Sequence, residues 1–217
     1  VPSQSMSPSI SPGSYILANK ITYGSRLPYF GQKKWNGKRI IRDVNINYND
    51  IVVFNFPKSK HIIPSRKVLV KRCIGMSGDT IQIEKGFVYI NNKLENIENK
   101  LLREYFIRFN ENFEIEDILK IISFPYSVKH QLDRTVFSLT MNDIENLKSI
   151  GAIKQIKGYN QKGYNPSIIP YDTTFGWNID NFGPLVVPKK GKAIILSHRN
   201  ILLYRNVIES HERNQIS

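Results

Sequence analysis

Residues 68–79 read VLVKRCIGMSGD, an apolar run followed by a turn that contains two glycines. The β-branched side chains of the run and the glycines that end it predict a buried β-strand over its first part. Alternation along this strand places Lys71 on the same face as Leu69 and Cys73. Because burial disfavours a charged ammonium group, we expect Lys71 to be able to act as a base.

A serine-rich stretch at the start of the chain supplies a partner for such a base. Residues 1–10 read VPSQSMSPSI. If Pro2–Met6 is extended, Ser3 and Ser5 project from the same face, because alternate side chains of a strand do so. Two adjacent hydroxyl groups suit a nucleophile with an oxyanion donor beside it, and a neutral Lys71 could take the proton of Ser5.

Three short motifs together resemble the type I signal peptidases. They are PSQSMSP at residues 2–8, NDIVVF at residues 49–54 and VKRCIGMSGD at residues 70–79, in the order of that family. The resemblance extends over residues 1–94. In addition, NFGP at residues 181–184 and PKKG at residues 188–191 are similar to a Gram-negative branch of the family that carries a long insertion.

The resemblance implies a serine endopeptidase that removes signal peptides from secreted preproteins after small residues at positions −1 and −3. Ser5 would be the nucleophile, Lys71 the general base, and Ser3 with the Ser5 backbone amide the oxyanion hole. The family needs no metal or other cofactor. The substrate would add as a β-strand beside shallow pockets, whose lining residues would be Met6, Pro8, Ile10, Leu69 and Val70.

The composition predicts a mostly β protein, and local helix and strand signals after about residue 94 predict a small α/β insertion. The chain has 217 residues, of which 41% are hydrophobic, with eleven Tyr and eleven Phe, and aromatic and β-branched residues favour strands. We expect a catalytic β core at residues 1–94, an α/β insertion at 95–159 and a return to the β body at 160–217. Cys73 is the single cysteine, which excludes a disulfide within the chain and a zinc site with several cysteines.

Positive charge is concentrated in the first third of the chain. Residues 1–72 contain thirteen Lys and Arg against Asp43 and Asp50, so they carry eleven of the thirteen net positive charges. Such a region attracts anionic phospholipid headgroups or nucleic acid, or is a solvated basic surface. The resemblance favours the phospholipid membrane surface, and we expect no nucleic-acid partner.

The segment at residues 25–48 mixes basic side chains with Tyr29, Phe30 and Trp35. Such aromatic rings sit at the headgroup level of a membrane, stack on nucleotide bases or pack beneath a surface loop. The aromatic residues slightly favour packing beneath the loop, whereas the charge favours the membrane.

Local signals predict the elements outside the motifs. Lys85-Gly86 predicts a hairpin, and Thr140 is expected to cap a helix that ends before Gly151. Arg72 is expected to pair with a carboxylate, and Asp79 to accept hydrogen bonds from backbone amides of its turn. Strands are expected at residues 14–20, 50–56, 80–84, 87–91, 135–139, 152–156 and 193–196, helices at 114–122 and 141–149, and a helix or strand at 201–212.

The family carries a membrane anchor before its serine motif and a C-terminal box of the pattern GDxRxxSxDSR. That pattern does not occur in residues 1–217, so either the box lies beyond this chain or the chain is a divergent member. The resemblance implies a bacterial inner-membrane location with the catalytic domain on the periplasmic side and the anchor outside this chain. Without the box, Lys71 would be poorly positioned and the chain alone weakly active or inactive.

Two other classes of function stay open. One is a related Ser-Lys maturation peptidase, such as a pilin maturase or a self-cleaving repressor, although the Ala-Gly bond that the repressor cleaves is absent. The other is a non-catalytic basic module that binds lipid or nucleic acid through the cluster at residues 33–42. The sequence contains neither an HExxH zinc motif nor a GxSxG nucleophile elbow.

Overall fold

The computed structural model shows a mostly β protein, as the sequence predicts. Over the described residues, the strands form three separate antiparallel sheets accompanied by short helices. Most of the basic and aromatic segment predicted at residues 25–48, namely residues 25–44, lies outside the described residues. The structure describes residues 1–19, 22–23, 45–56, 66–95, 101–123, 128–131, 134–206 and 208–209.

The first sheet is a two-stranded pair that carries the predicted base. β1 (Ile51–Asn55) is antiparallel to β2 (Val68–Arg72), and Val52 lies opposite Lys71. Both strands form where the apolar runs predict them. The prediction that they are buried is wrong, since Val68 is 59% exposed and neither strand contains a fully buried residue. Two strands alone cannot enclose their own side chains.

The second sheet joins the middle of the chain to its C-terminal part. Its strands are β3 (Thr80–Glu84), β4 (Phe87–Ile90), β5 (Lys93–Leu94) and β10 (Phe182–Val186), in the order β10-β3-β4-β5. The predicted hairpin is confirmed, and Lys85 and Gly86 turn the chain with φ angles of 51° and 80°. β10 is not among the predicted strands, and its edge position accommodates Pro184, which has no amide proton.

The third sheet has the βαββαβ order of the split-βαβ, or ferredoxin-like, motif. The elements are β6 (Arg103–Phe109), α1 (Ile115–Ile121), β7 (Val128–Gln131), β8 (Arg134–Leu139), α2 (Met141–Ser149) and β9 (Ile153–Gly158). The sheet order is β7-β8-β6-β9. Predictions of α1, β8, α2 and β9 are confirmed to within two residues, whereas β6 and β7 were not predicted. The division at residues 94/95 and 159/160 stays a prediction.

The main hydrophobic cluster lies between the third sheet and its helices. Ile118 of α1 and Leu147 of α2 are fully buried, and Phe137 and Leu139 of β8 are 1% exposed. Burial on this scale gives about 1.5–3 kcal/mol for each large apolar side chain. The βαββαβ unit therefore has a core of its own.

A buried carboxylate joins the ends of the two helices in this unit. Asp143 accepts hydrogen bonds from the Thr140 amide and hydroxyl, and its own amide donates to the Thr140 hydroxyl, which confirms the predicted cap. The same carboxylate accepts from the amide and hydroxyl of Ser123, just beyond α1. Burial raises the pKa of Asp143, but the hydrogen bonds from Ser123 and Thr140 outweigh it and leave the pKa below its usual value.

Two predicted strands do not form. Residues 14–19 and 193–196 are not in strands, and Tyr15, Leu17 and Ile195 are almost completely exposed. α3 (Ile201–Asn206) forms where the sequence permits a helix or a strand. Among the described residues, no helix combines the length and hydropathy that crossing a bilayer requires.

Candidate active site

The serine segment begins with a tight turn. Gln4–Met6 is a single 3₁₀ turn, in which the Ser7 amide donates to the Gln4 carbonyl at 2.9 Å. The extended backbone assumed for Pro2–Met6 is therefore not present, although Ser3, which precedes the turn, has an extended conformation. The two hydroxyls nevertheless meet, with 3.1 Å between Ser3 Oγ and Ser5 Oγ.

Contacts beyond the turn explain why the segment is not a strand. The Ile10 amide donates to the Met6 carbonyl at 2.9 Å, and the Gly13 amide donates to the Val1 carbonyl at 2.8 Å, so the chain closes on itself. Met6 is 5% exposed and anchors the loop. The residue pattern of this segment does not reveal these contacts, so the turn could not be predicted from the sequence alone.

Lys71 reaches the serine loop from β2. Its side-chain amine donates a hydrogen bond to the Ser5 hydroxyl. The three polar side chains thus form a continuous row, from Lys71 Nζ through Ser5 Oγ to Ser3 Oγ. Ser5 is exposed and Lys71 half-buried, so the prediction of a buried lysine is wrong. An approaching ligand can reach the Ser5 hydroxyl.

Arg72, the next residue of β2, contacts the same loop at a different place. Its Nη2 donates to the Ser9 hydroxyl at 2.6 Å, and its Nη1 donates to the Asn49 carbonyl at 3.1 Å. The expected carboxylate partner is thus replaced by a hydroxyl and a carbonyl oxygen. The arginine links the serine loop to the turn before β1.

The turn after β2 is held by a buried carboxylate, as predicted. Asp79 accepts from the Met76 amide at 2.6 Å, which closes the turn. It also accepts from the Tyr48 hydroxyl at 2.6 Å and from the Asn91 side-chain amide at 2.8 Å. The hydrogen bond from Tyr48, followed by the one from Met76, holds the pKa of Asp79 below its usual value. The same contact with Asp79 raises the pKa of Tyr48.

The predicted pocket residues lie at different depths and on different faces. Leu69 shares the Lys71 face of β2, whereas Val70 lies on the opposite face. Met6 is buried and leaves little surface for a substrate. Pro8, which follows a cis peptide bond, and Ile10 are half-buried in the serine loop.

Val52 and Phe54 share the face of the candidate site, although they were not predicted as site residues. The register pairs Val52 with Lys71 and Phe54 with Leu69, and directly opposed residues of antiparallel strands lie on the same face. The NDIVVF motif is visible in the sequence, but its register against β2 is not. With that register, alternation along both strands identifies the two residues at once.

The described residues offer no alternative chemistry near this row of side chains. They contain no group of three or more His, Cys, Asp and Glu side chains that could hold a metal ion. Cys73, the residue that follows β2, is a half-buried free thiol with its sulfur 3.9 Å from Met76 Sδ. His198 lies in an exposed turn.

A β-rich protein with a lysine amine on a serine hydroxyl, and a second hydroxyl alongside, has the arrangement found in Ser-Lys hydrolases. The sequence matches the pattern of the family described as signal peptidase, peptidase S26, over residues 1–148. The chain belongs to this family, as its three motifs predict.

Similar proteins described as signal peptidase I agree with this family assignment. Signal peptidase I of Pseudomonas aeruginosa is 33% identical over 105 residues, which are 48% of this chain and 32% of that protein. Signal peptidase I of Pseudomonas fluorescens is 31% identical over 103 residues, covering 47% and 32%. Signal peptidase I of Buchnera aphidicola from Schizaphis graminum is 35% identical over 112 residues, covering 48% and 31%. The matched part thus spans about a third of each relative's length. No solved structure matches the chain.

Proposed function

We propose that this chain is part of a serine endopeptidase that removes signal peptides from secreted preproteins. The observation that carries the proposal is the hydrogen bond between Lys71 and the Ser5 hydroxyl. The family and its signal peptidase I relatives support the reaction class. Because the hydroxyl is exposed, an extended peptide can reach it without rearrangement of the fold.

In the proposed reaction, Lys71 transfers a proton in each of two steps, acylation of Ser5 and hydrolysis of the resulting ester. Neutral Lys71 takes the Ser5 proton as Ser5 Oγ attacks the scissile carbonyl, and it then gives that proton to the leaving amine. The peptide bond breaks and an ester to Ser5 forms. The same lysine then takes a proton from a water molecule that attacks the ester, and gives this proton to Ser5 Oγ as the ester C–O bond breaks. The products are the new carboxyl group and the free serine. No redox partner or metal enters this balance.

Ser3 and the Ser5 amide are the proposed oxyanion donors. The Ser3 hydroxyl lies 3.1 Å from the Ser5 hydroxyl, so it is within reach of an oxygen on a carbon bonded to Ser5. The Ser5 amide lies in the first turn of the 3₁₀ segment, where an amide has no acceptor inside the helix. Donors placed in advance at a developing oxyanion are worth about 3–4 kcal/mol of barrier each.

The proposed substrate lies along the Lys71 face of the first sheet. A signal peptide would bind as an added β-strand, with small side chains at positions −1 and −3 facing the protein. Leu69, Val52 and Phe54 supply apolar surface on that face. Pro8 and Ile10 stay candidates for the pocket wall, whereas Met6 and Val70 are less accessible to a substrate there.

The proposed location is the bacterial inner membrane, with the catalytic domain on its periplasmic side. Eleven net positive charges in residues 1–72 would attract anionic phospholipid headgroups. Tyr15, Leu17 and Ile195 are almost completely exposed and could contribute apolar contact with the lipid surface.

The test is cleavage of a preprotein in detergent by the 217-residue chain and by the complete gene product. Ser5→Ala is expected to abolish cleavage and Lys71→Ala to lower it by about 10²–10⁴-fold, whereas Ser11→Ala and Lys67→Ala, at exposed neighbouring positions, should leave it unchanged. Cleavage by the complete product alone would show that residues outside this chain complete the site. Cleavage by none of the proteins, with lipid or nucleic-acid binding retained, would replace the peptidase with a binding module.

A further inference from the structure

We infer that Arg72 is a positioning residue, which holds Ser5 within reach of Lys71 by binding the Ser9 hydroxyl. This inference rests on the proposed function and adds a residue pair to it. Arg72 does not touch the reacting atoms. Its effect passes through the serine loop, whose position decides whether the Ser5 hydroxyl and the Lys71 amine meet.

The loop is attached to β2 on both faces of the strand. Lys71 and Arg72 are successive residues of β2, so their side chains leave the strand in opposite directions. Lys71 binds Ser5, and Arg72 binds Ser9 at 2.6 Å, four residues further along the loop. The 3₁₀ turn packs against β2, whose other edge is occupied by β1. The segment 5–9 is therefore fixed at both of its ends.

Arg72 is itself braced by the turn that precedes β1. Its second nitrogen donates to the Asn49 carbonyl at 3.1 Å, and Asn49 has a left-handed φ of 70°. The Asp50 carboxylate accepts a hydrogen bond from the Asn47 amide at 2.9 Å, and the Asn49 amide donates to the Cys73 carbonyl at 2.8 Å. A planar guanidinium holds its N–H donors in a fixed fork, so Arg72 fixes the relative positions of a carbonyl and a hydroxyl, whereas the donors of a lysine rotate freely.

The position of Ser5 needs such support because the residue is exposed. Met6 anchors the loop on its inner side, but Ser5 and Ser9 both face solvent. A shift of about 1 Å in a reacting group can lower a rate by about a hundredfold. The Arg72–Ser9 hydrogen bond restrains this shift at the point where the loop leaves the turn.

The first test is kinetic and uses the complete gene product with a preprotein substrate. Arg72→Gln and Ser9→Ala are each expected to lower kcat about tenfold or more, with KM changed less than about twofold. Ser9→Thr retains the hydroxyl and should keep kcat near the wild-type value. Because Arg72 and Ser9 act through the hydrogen bond between them, the double variant should be little worse than Arg72→Gln alone.

The second test does not depend on activity. In hydrogen exchange of the 217-residue chain, the amides of Ser7 and Ile10 should exchange several-fold faster in Ser9→Ala than in wild type or Ser9→Thr. Equal exchange in all three proteins would overturn the inference, as would wild-type kcat in Ser9→Ala or fully additive losses in the double variant. Absence of Ser5-dependent cleavage in the wild-type protein would instead contradict the proposed function.

Discussion

Lys71 and Ser5 lie 66 positions apart in the sequence, and their side chains meet in one hydrogen bond. The contact requires β2, the turn that follows it and the serine loop to be correctly placed against one another. Each is held by its own interactions: β2 by β1, the Gly75–Asp79 turn by the Asp79 carboxylate, and the loop by Met6. The consequences of changing these contacts can therefore be separated.

Lys71→Arg distinguishes a base from a hydrogen-bond donor. Arginine keeps the positive charge and several donors but does not deprotonate in proteins. Since a general base contributes about 10²–10⁴-fold to a rate, we expect kcat for preprotein cleavage to fall by about that factor, as in Lys71→Ala. Lys67→Arg, just before the same strand, is the matched control. Near-normal cleavage by Lys71→Arg would contradict the assignment of Lys71 as the base.

Asp79 gives the fold an acid-sensitive contact. A carboxylate whose pKa is lowered in the folded state stabilises the protein above its unfolded pKa of about 3.9, and this contribution is lost as the pH falls through the folded value. Asp79→Asn should lower the free energy of unfolding at pH 7 by about 1–3 kcal/mol. The wild-type and variant curves should converge towards pH 2.

The measurement for Asp79 is urea unfolding at several pH values. Tyr48→Phe removes the hydrogen bond that lowers the Asp79 pKa most, so it should reduce the acid dependence in part. Asp117→Asn changes an exposed carboxylate paired with Lys120 and serves as the control. Parallel curves for wild type and Asp79→Asn, with a constant gap down to pH 2, would refute the proposed linkage.

The Asp143 cap should govern the stability of the βαββαβ unit. Thr140→Ala removes the side-chain acceptor at the start of α2 and should lower the free energy of unfolding by about 1 kcal/mol. Thr140→Ser keeps an oxygen there and should lower it much less. Asp143→Ala leaves the donors of Ser123 and Thr140 without their acceptor and should cost about 1–3 kcal/mol or more. Urea unfolding measures all three, and equal stability of Thr140→Ala and Thr140→Ser would contradict the capping role.

Local chemistry explains which elements could be predicted. Lys85-Gly86 and the Thr140 cap are signals that lie within a few residues, and both the hairpin and α2 form as predicted. The strand character of β2 was also visible in its β-branched residues. Its burial was not, because burial depends on what lies over the sheet, and within the part of the chain that the structure describes the first sheet has two strands.

The failed predictions share a dependence on distant partners. Residues 14–19 and 193–196 have the apolar residues of strands but are not in strands in this structure. β10 forms despite Pro184, because β3 offers an edge to a strand that lies about 100 residues further along the chain. The Ser3–Ser5 contact was expected from an extended chain and arises instead from a 3₁₀ turn. The family pattern indicated which residues meet, but not the backbone that brings them together.

Gly75 allows the turn after β2 to approach the next strand closely. A β-carbon at this position would lie 2.9 Å from Ile81 Cγ1 and still nearer the terminal methyl group Cδ1, in a side chain that is 8% exposed. We expect Gly75→Ala to lower the free energy of unfolding by about 1–3 kcal/mol, because a filled core has no room for another methyl group. Gly158→Ala, where a β-carbon would make one ordinary contact at 3.8 Å, should change stability by less than about 0.5 kcal/mol.

A compensating change at Ile81 tests the cause of this loss, because Ile81→Val removes the methyl group that conflicts most with the new side chain. The double variant Gly75→Ala with Ile81→Val should therefore be more stable than Gly75→Ala alone, although Ile81→Val by itself costs about 0.5–1.5 kcal/mol. Additive losses in urea unfolding would mean that the turn moves away from Ile81 instead of pressing on it, and the close packing would then not be the reason for glycine at this position.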